Sequence, residues 1–598
     1  MPIYKAPIDD YKFIFKDVFS AESILTLPDY QEFSMDLLEQ VLEEAAKFCE
    51  NEIQPLNLFG DEEGCHFENG TVRTPKGFKE AYKIFSESGW ASLSCDPEYG
   101  GQGLPHFMNF TLQEMICAAN ISFGMYPGLS HGAYDALLQH GTEELKKQYL
   151  PKLISGVWSG TMCLTEPQCG TDLGLIKTKA VPQNDGSYKI TGTKIFISAG
   201  EHDLTENILH LVLARLPNAP EGIKGISLFL APKYLLKEDG TPGLKNHVQC
   251  GSIEHKMGIR ASATCVMNFD DAIGYLIGQP HKGMKAMFTM MNAARLAVGM
   301  QGLGLADVSY QNAVIYAKDR LQMRSLKGAV FPDKPADPII VHPDVRRNLL
   351  TIKAFVEGAR ALACMVGMKI DESIKHPDPK TREAADDLVA LLIPIIKGFL
   401  TDYGFLSTNL GVQVFGGYGY IHEYGMEQFV RDARISQIYE GTNGIQALDL
   451  VGRKLSQGAG RLLRRFFHPL QADLERWQEI PELVELMMPL VKALGKLQQA
   501  TIQIAQKGMA NPDEAGAAAS DYLHLFGFVA IGYMWMKMAE AAVEGLKKGD
   551  ATGQKAFYET KIKTARFFME RMMPETNSLF AKIMSGAKPL MDFDATEF

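Results

Sequence analysis

A carboxylate set among apolar side chains has its pKa raised, which suits it to take a proton at neutral pH. The stretch QIYEGTNGIQ, residues 437–446, offers one: Glu440 sits between Tyr439 and Gly441, behind Ile435 and Ile438 and ahead of the helix-like run IQALDLVGRKL. A plainer reading is an exposed loop acid, or a first-turn glutamate welcomed by the helix dipole. Three other stretches bear on the choice: MCLTEPQCGTD (162–172), KIFISAGEHD (194–203) and QVFGGYGY (413–420). A fourth, DPEYGGQGLP, is rich in glycine but lacks the GK[ST] of a phosphate loop, so it marks a turn.

The elements that must carry these residues read as helix, then strand, then helix. From Ser34 to Gly160, apolar residues recur at helical spacing (Leu37, Leu38, Val41, Leu42, Ala45, Phe48), with Ser34 as an N-cap. A second helix is expected to start at Thr74-Pro75 and stop at Gly89. From Thr161 to about Gly278 the period changes to two, through NDGSYKITGTKIFIS, ILHLVLARL, GISLFLAP and TCVMNFDD, giving a barrel or sandwich. Long amphipathic helices follow, with Gly299, Gly302 and Gly304 allowing close contact in an antiparallel bundle. QGAGRLLRR, after Ser456, reads as a hinge into a further helical unit. The expected class is therefore mainly α with a central β domain. It divides into an N-terminal extension (1–33), an N-terminal helical domain (34–160), a middle β domain (161–280), a C-terminal helix bundle (281–455) and an extra helical domain (456–598).

A chain of 598 residues is too long for one core. Its net charge of -11 argues against a general nucleic-acid binder. Nine cysteines without a CxxC pair fit a reduced compartment and no metal site. The N-terminus carries neither a secretory nor an organelle signal, and ALLIPIIKGFL is too short and too interrupted for a membrane span, so a cytoplasmic protein is expected.

The domain order and the order of the motifs resemble the acyl-CoA dehydrogenase family over roughly residues 35–455. That resemblance implies FAD as cofactor. By position, Leu164 and Thr165, in the segment with Met162 and Gly170, would contact the flavin ring. Thr171 stands where the family usually has serine, near the flavin phosphate and the CoA arm. Phe196, Ile197 and Ser198 match a Trp-Ile-Thr motif against the isoalloxazine. Arg320, Gln413, Gly416 and Gly417 match positions that hold the pyrophosphate and adenosine across a subunit contact, arginine giving charge and glycine close backbone approach. Thr442 and Asn443 would cap the cofactor, Asn292 and Arg295 would lie on the substrate side, and Gly441 would let the loop approach the substrate. Glu440 becomes the catalytic base. Its alternative position in some members, just before Arg295, is here Ala294.

Three departures stand out. The segment after Arg320, LQMRSLKGAVFPDKPADPIIVH, is longer than the common spacing, and His342 replaces a usual Gln. The residues after 460 resemble the helical extension of a larger subgroup that includes long-chain enzymes and 3-methylmercaptopropionyl-CoA dehydrogenases, which implies a homodimer. The implied reaction is α,β-dehydrogenation of saturated acyl-CoA to trans-2-enoyl-CoA in fatty acid β-oxidation, with electrons passed to an electron-transferring flavoprotein. The rival substrate is 3-methylmercaptopropionyl-CoA. Alkylation-response flavoproteins share the fold but bind DNA through a basic C-terminal region; the balanced charge after 460 argues against that function.

Overall fold

The computed structural model describes residues 2–549 and 553–598. The chain begins with helices α1 (Ile8–Phe13), α2 (Met35–Phe48), α3 (Phe78–Glu87) and α4 (His106–His140). Seven strands follow in one sheet: β1 (Trp158–Cys163), β2 (Lys179–Pro182), β3 (Tyr188–Ser198), β4 (Asn207–Arg215), β5 (Ile226–Pro232), β6 (Val248–Ile253) and β7 (Thr264–Ile277). Long helices complete the chain: α5 (Gly283–Asp319), α6 (Pro343–Lys375), α7 (Pro379–Phe415), the short α8 (Asn443–Asp449), α9 (Arg461–Trp477), α10 (Pro481–Ala510), α11 (Pro512–Lys547) and α12 (Lys555–Phe567). Two compact units result. One holds Lys47–Leu104 and Ala119–Ala297, the other 2–46, Pro105–Ala118 and Val298–Phe598. One of the chain's four crossings between them falls inside α4, beside Asn120, whose φ of -162° and ψ of 92° break the helix.

In the first unit β7, β3, β2, β4 and β5 pair in a closed ring, since β5 bonds to both β4 and β7. A closed sheet leaves few edges. β4 and β5 do not alternate as expected: every residue of β5 and all but Arg215 of β4 are buried. Leu209, Leu211, Leu213, Leu228 and Leu230 pack in the core that contains Ala133, Leu137 and Tyr149, while Val212, Ala214, Phe229 and Ala231 fill the barrel. A strand covered on both faces reads as a continuous apolar run. The cap expected at Thr74 is also different. Its hydroxyl donates to Asp203 at 2.8 Å, and α3 starts three residues later, after Gly77. Ser34 does cap α2, accepting from the Leu37 amide at 3.2 Å.

The second unit is a helix bundle in which backbones touch where side chains are missing. A Cβ on Gly302 would lie 2.5 Å from the Leu400 carbonyl oxygen, and one on Gly304 2.8 Å from the Ala118 nitrogen. α7 is long and apolar enough to cross a membrane by length and composition, but 72% of its most apolar stretch is buried, as in a bundle's core helix. The residues after 456 belong to this same unit. α11 lies against α7 where Gly398 faces Leu523 and Gly527 faces Phe399, and Trp535 donates to the Ala354 carbonyl at 2.8 Å.

A buried charge cluster joins both ends of the chain to α6. The Arg360 guanidinium donates to Glu114 (2.9 Å) and Asp10 (2.8 Å) and stands 3.2 Å from Asp307. Lys561 on α12 donates to Asp10 (2.6 Å) and Glu357 (2.8 Å). Replacing Arg360 by Met would leave several buried carboxylates short of their cation, so urea unfolding should reveal a loss of about 3–5 kcal/mol. Burial, helped by Glu114 and Asp10, outweighs Arg360 and pushes Asp307 up to about 7. Between about pH 4 and pH 7 the native state holds a proton that the unfolded chain has already released, so this group destabilises the fold as pH rises. The stability of Asp307→Asn relative to wild type should therefore improve by roughly 2 kcal/mol between pH 5 and pH 8. A constant difference across that range would refute the assignment.

Candidate functional site

The loop that carries Glu440 is held at both ends by one carboxylate. Asp402, on α7, accepts at Oδ1 from Gln437 Nε2 and from Asn443 Nδ2, each at 2.7 Å. Its Oδ2 bonds His524 Nε2 of α11, also at 2.7 Å. Burial alone would raise the pKa of Asp402; the bond and charge of His524, with Gln437 and Asn443, outweigh it and hold the carboxyl below its usual value. The buried Lys397 ammonium donates to Asn443 Oδ1 at 2.8 Å, which fixes the amide with its NH₂ toward Asp402. Inside the clamp, the fully buried Gln446 side chain donates to the Glu440 and Gly441 carbonyls at 3.2 and 3.0 Å. Tyr439 donates to Gln301. Its hydroxyl pKa is pushed up by burial and by the neighbouring Glu440 charge.

Glu440 has φ +56° and Gly441 φ +81°. Glycine accepts this region freely, whereas a glutamate there costs of order 1–3 kcal/mol and persists only when its surroundings fix it. The clamp and Gln446 are those surroundings. Thr442 is exposed, and its hydroxyl donates back to the Gln437 carbonyl at 3.2 Å. The Asn443 side chain is directed at α7.

In the same unit, Arg320, Gly416 and Gly417 line a cleft of about 530 Å³ with Tyr316, Gln322, Ile339, Phe415 and Tyr418. Gly416 has φ +60°, and added Cβ atoms on Gly416 or Gly417 would meet only open space, so no neighbouring group walls off either glycine. Arg320 lies 5.4 Å from the centre of the Tyr418 ring. A cation, side-chain-free glycines and aromatic rings suit a phosphate and a flat heterocycle. Gln413 stands exposed one turn back, and its carbonyl accepts from the Gly416 amide. The long segment after Arg320 is folded around Asp337. That carboxylate accepts from the amides of Ser325 (3.0 Å), Val330 (3.1 Å) and Phe331 (2.8 Å) and pairs with Arg324 at 3.3 Å. Burial would raise it, but these donors bring it down to about 2. His342 Nε2 bonds the Gln322 carbonyl at 2.9 Å, so it fastens this segment to the edge of the cleft.

The other unit holds the remaining residues. Met162 lies next to the end of β1, and Leu164 and Thr165 follow the strand. The Thr165 carbonyl accepts from the Ile195 amide at 2.9 Å. Beneath them Lys194, fully buried, donates to Glu166 (2.8 Å) and to the Leu164 carbonyl (3.0 Å). Burial works against the Glu166 charge, but Lys194 and Thr178 bring its pKa to about 2. This pair ties the Leu164-Thr165 segment to β3. On β3 the pairing with β7 shifts register between Cys265 and Met267, leaving Ile195 and Phe196 opposite one residue. Such a bulge re-aims side chains. Phe196 has φ +59° and is 59% exposed, while Ile197 turns into the core and Ser198 is half-buried. An aromatic ring is thus strained outward from the barrel. Gly170 and Thr171 lie in the exposed loop beyond Glu166. On α5, Asn292 is half-buried and Arg295 is buried, with its guanidinium 5.9 Å from the Phe288 ring. Their i, i+3 spacing puts them on one helix face.

Asp402, Gln446, His524, Lys194 with Glu166, and Asp337 were not anticipated. Lys194 alone gave a signal, as a lysine inside a strand-like run.

Four family domains match the chain: acyl-CoA dehydrogenase N-terminal domain at 36–157, middle domain at 161–272, C-terminal domain at 281–455, and an acetyl-CoA dehydrogenase C-terminal like domain at 463–594. The 3-methylmercaptopropionyl-CoA dehydrogenase of Ruegeria pomeroyi is 43% identical over 98% of this chain and 99% of its own. The broad-specificity linear acyl-CoA dehydrogenase FadE5 of Mycobacterium tuberculosis is 33% identical over the full length of both. Among solved structures, an acyl-CoA dehydrogenase complexed with FAD from Bacillus anthracis superposes with a TM-score of 0.75 at 22% identity, over 94% of this chain and 90% of that one. The chain belongs to the acyl-CoA dehydrogenase family, whose members depend on FAD, and to its branch with a C-terminal helical extension.

Proposed function

We propose that Glu440 is the base that removes the α-proton of a saturated acyl-CoA, giving the trans-2-enoyl-CoA of fatty acid β-oxidation. The observation that carries this reading is the clamped, left-handed backbone at Glu440: strain of that kind in a loop fixed from both sides suits a side chain that must be delivered to one point. FAD, when bound, supplies the two-electron acceptor for the β-hydrogen, which leaves as hydride while the C–C bond becomes a double bond. Leu164, Thr165, Phe196 and Ser198 would hold its ring, and the ring of Phe196 would exclude water from one face. Arg320 would meet the pyrophosphate charge, and Gly416 and Gly417 would admit it without steric cost. The Glu440 N–H would donate to the thioester carbonyl and stabilise the negative charge that develops there. In a homodimer the Arg320 cleft would serve the partner's cofactor, and an electron-transferring flavoprotein would take the electrons away.

A second reading concerns the acyl group. The 43% identity to a 3-methylmercaptopropionyl-CoA dehydrogenase over nearly the whole chain favours a short, sulfur-containing acyl chain with the same chemistry. Comparing kcat/KM for butyryl-, octanoyl-, palmitoyl- and 3-methylmercaptopropionyl-CoA decides between them. A preference of at least about tenfold for the thioether substrate over butyryl-CoA, or 1.4 kcal/mol in transition-state binding, would select this second reading.

Glu440→Gln keeps the shape of the side chain but cannot accept the proton. Anaerobic bleaching of the yellow band by acyl-CoA should slow by about 10²–10⁴ or more, with flavin content and CoA-ligand affinity near wild type. Bleaching at the wild-type rate would return Glu440 to an ordinary loop acid. Arg320→Ala should have the opposite profile: after dialysis in moderate salt its ratio of flavin to protein falls, while any chain that retains FAD still bleaches quickly. Full retention of FAD would remove Arg320 from the cofactor site.

A further inference from the structure

We infer that His524, in the C-terminal extension, is a positioning residue for the Glu440 loop and acts through Asp402. The inference rests on the reading of Glu440 as the base. Four observations build it. First, Asp402 Oδ1 is the shared acceptor for Gln437 and Asn443, which flank the loop on its two sides, so the orientation of one carboxylate sets both anchors. Second, the carboxylate's other oxygen is bonded by His524 Nε2 at 2.7 Å across 122 residues of sequence. An ionised carboxylate only accepts, so Nε2 carries the hydrogen. Third, the imidazole is itself held, packing edge-on against Phe399 (5.9 Å, 73°) and Tyr403 (6.4 Å, 83°) of α7. Fourth, the approach depends on missing side chains. A Cβ on Gly527 would lie 2.3 Å from the Phe399 ring, and one on Gly398 2.9 Å from Leu523, so these glycines let α11 come near enough for His524 to reach Asp402.

Without the imidazole, Asp402 Oδ2 would lose its donor and the carboxylate could rotate toward another. Gln437 and Asn443 would then lose the common point that keeps Glu440 in a left-handed conformation. The extension thereby contributes to the reaction without touching substrate or cofactor.

The test uses the full-length holoprotein with His524→Leu and His524→Gln, the second retaining an N–H donor of similar reach. Two quantities are read: hydrogen–deuterium exchange of the backbone amides in a peptide spanning Gln437–Asn443, and the kcat and KM for acyl-CoA. Loss of a hydrogen bond to a charged group should speed amide exchange in the loop about tenfold and lower kcat about tenfold in the Leu variant. KM should stay within about twofold, since binding does not need the base. His524→Gln should recover most of both losses. Either exchange or kcat remaining at the wild-type value in His524→Leu overturns the inference, as does a Gln variant no better than Leu. Glu440→Gln separates the two readings, because it should slow turnover by about 10²–10⁴ or more while leaving loop exchange as in wild type. Were Glu440→Gln to keep its turnover, the base assignment would fall and the exchange comparison would still decide whether His524 holds the loop.

Discussion

A carboxylate that leaves water must be given hydrogen-bond donors in return, and the donors it recruits become fixed in place. Asp402 is where this rule organises the site. Its burial would drive it toward the neutral form, and the groups that keep it ionised come from three separate segments: Gln437 before the loop, Asn443 after it, and His524 from α11. The same exchange of solvation for contacts that stabilises the charge therefore fixes the loop's ends. Gln446 then satisfies the two carbonyls turned inward by the left-handed residues. The strain at Glu440 is sustained by these contacts and is not a local preference of its sequence.

The same logic recurs at two other points. Lys194 and Glu166 neutralise each other beneath the Leu164-Thr165 segment, and Lys194 also binds the Leu164 carbonyl, so an ion pair sets a backbone that must face outward. Asp337 gathers three amides and an arginine and gives a long, largely exposed segment a defined shape with little apolar core of its own. In each case a buried or half-buried acid with a depressed pKa marks a segment whose path is imposed from within. Apolar packing makes the barrel and the bundle; buried charge decides where the loops between elements run.

This difference explains what could be read in advance. Helix and strand succession follows from periodicity over windows of ten to twenty residues, and α5 as one helix of unusual length was legible for that reason. Glu440 stood out only through the order of the motifs around it, which resembles the family's; its own neighbours would equally fit an exposed loop acid. Alternation failed at β4 and β5 because helices cover the barrel's outer face there, a fact that lives outside the strands. Thr74 has the type of a cap, but a distant Asp203 claims its hydroxyl. Gln446 and His524 were invisible for the same reason. A buried Gln and a helical His carry no signal until the groups they bond are known.

The helix α7 finally relates the two halves of this unit's chemistry. Asp402 and Phe415 are thirteen residues apart on it, so the loop clamp and the edge of the Arg320 cleft are separated by about 20 Å of rigid helix. That spacing cannot relax through side-chain motion alone. α7 can hold it because its most apolar stretch is largely buried and because glycines at 398 and 404 let α11 and α5 press against its backbone. A bulky residue at either glycine would displace a neighbouring helix and shift the clamp relative to the cleft. The small residues of α7 thus serve the geometry of the site as much as the packing of the bundle.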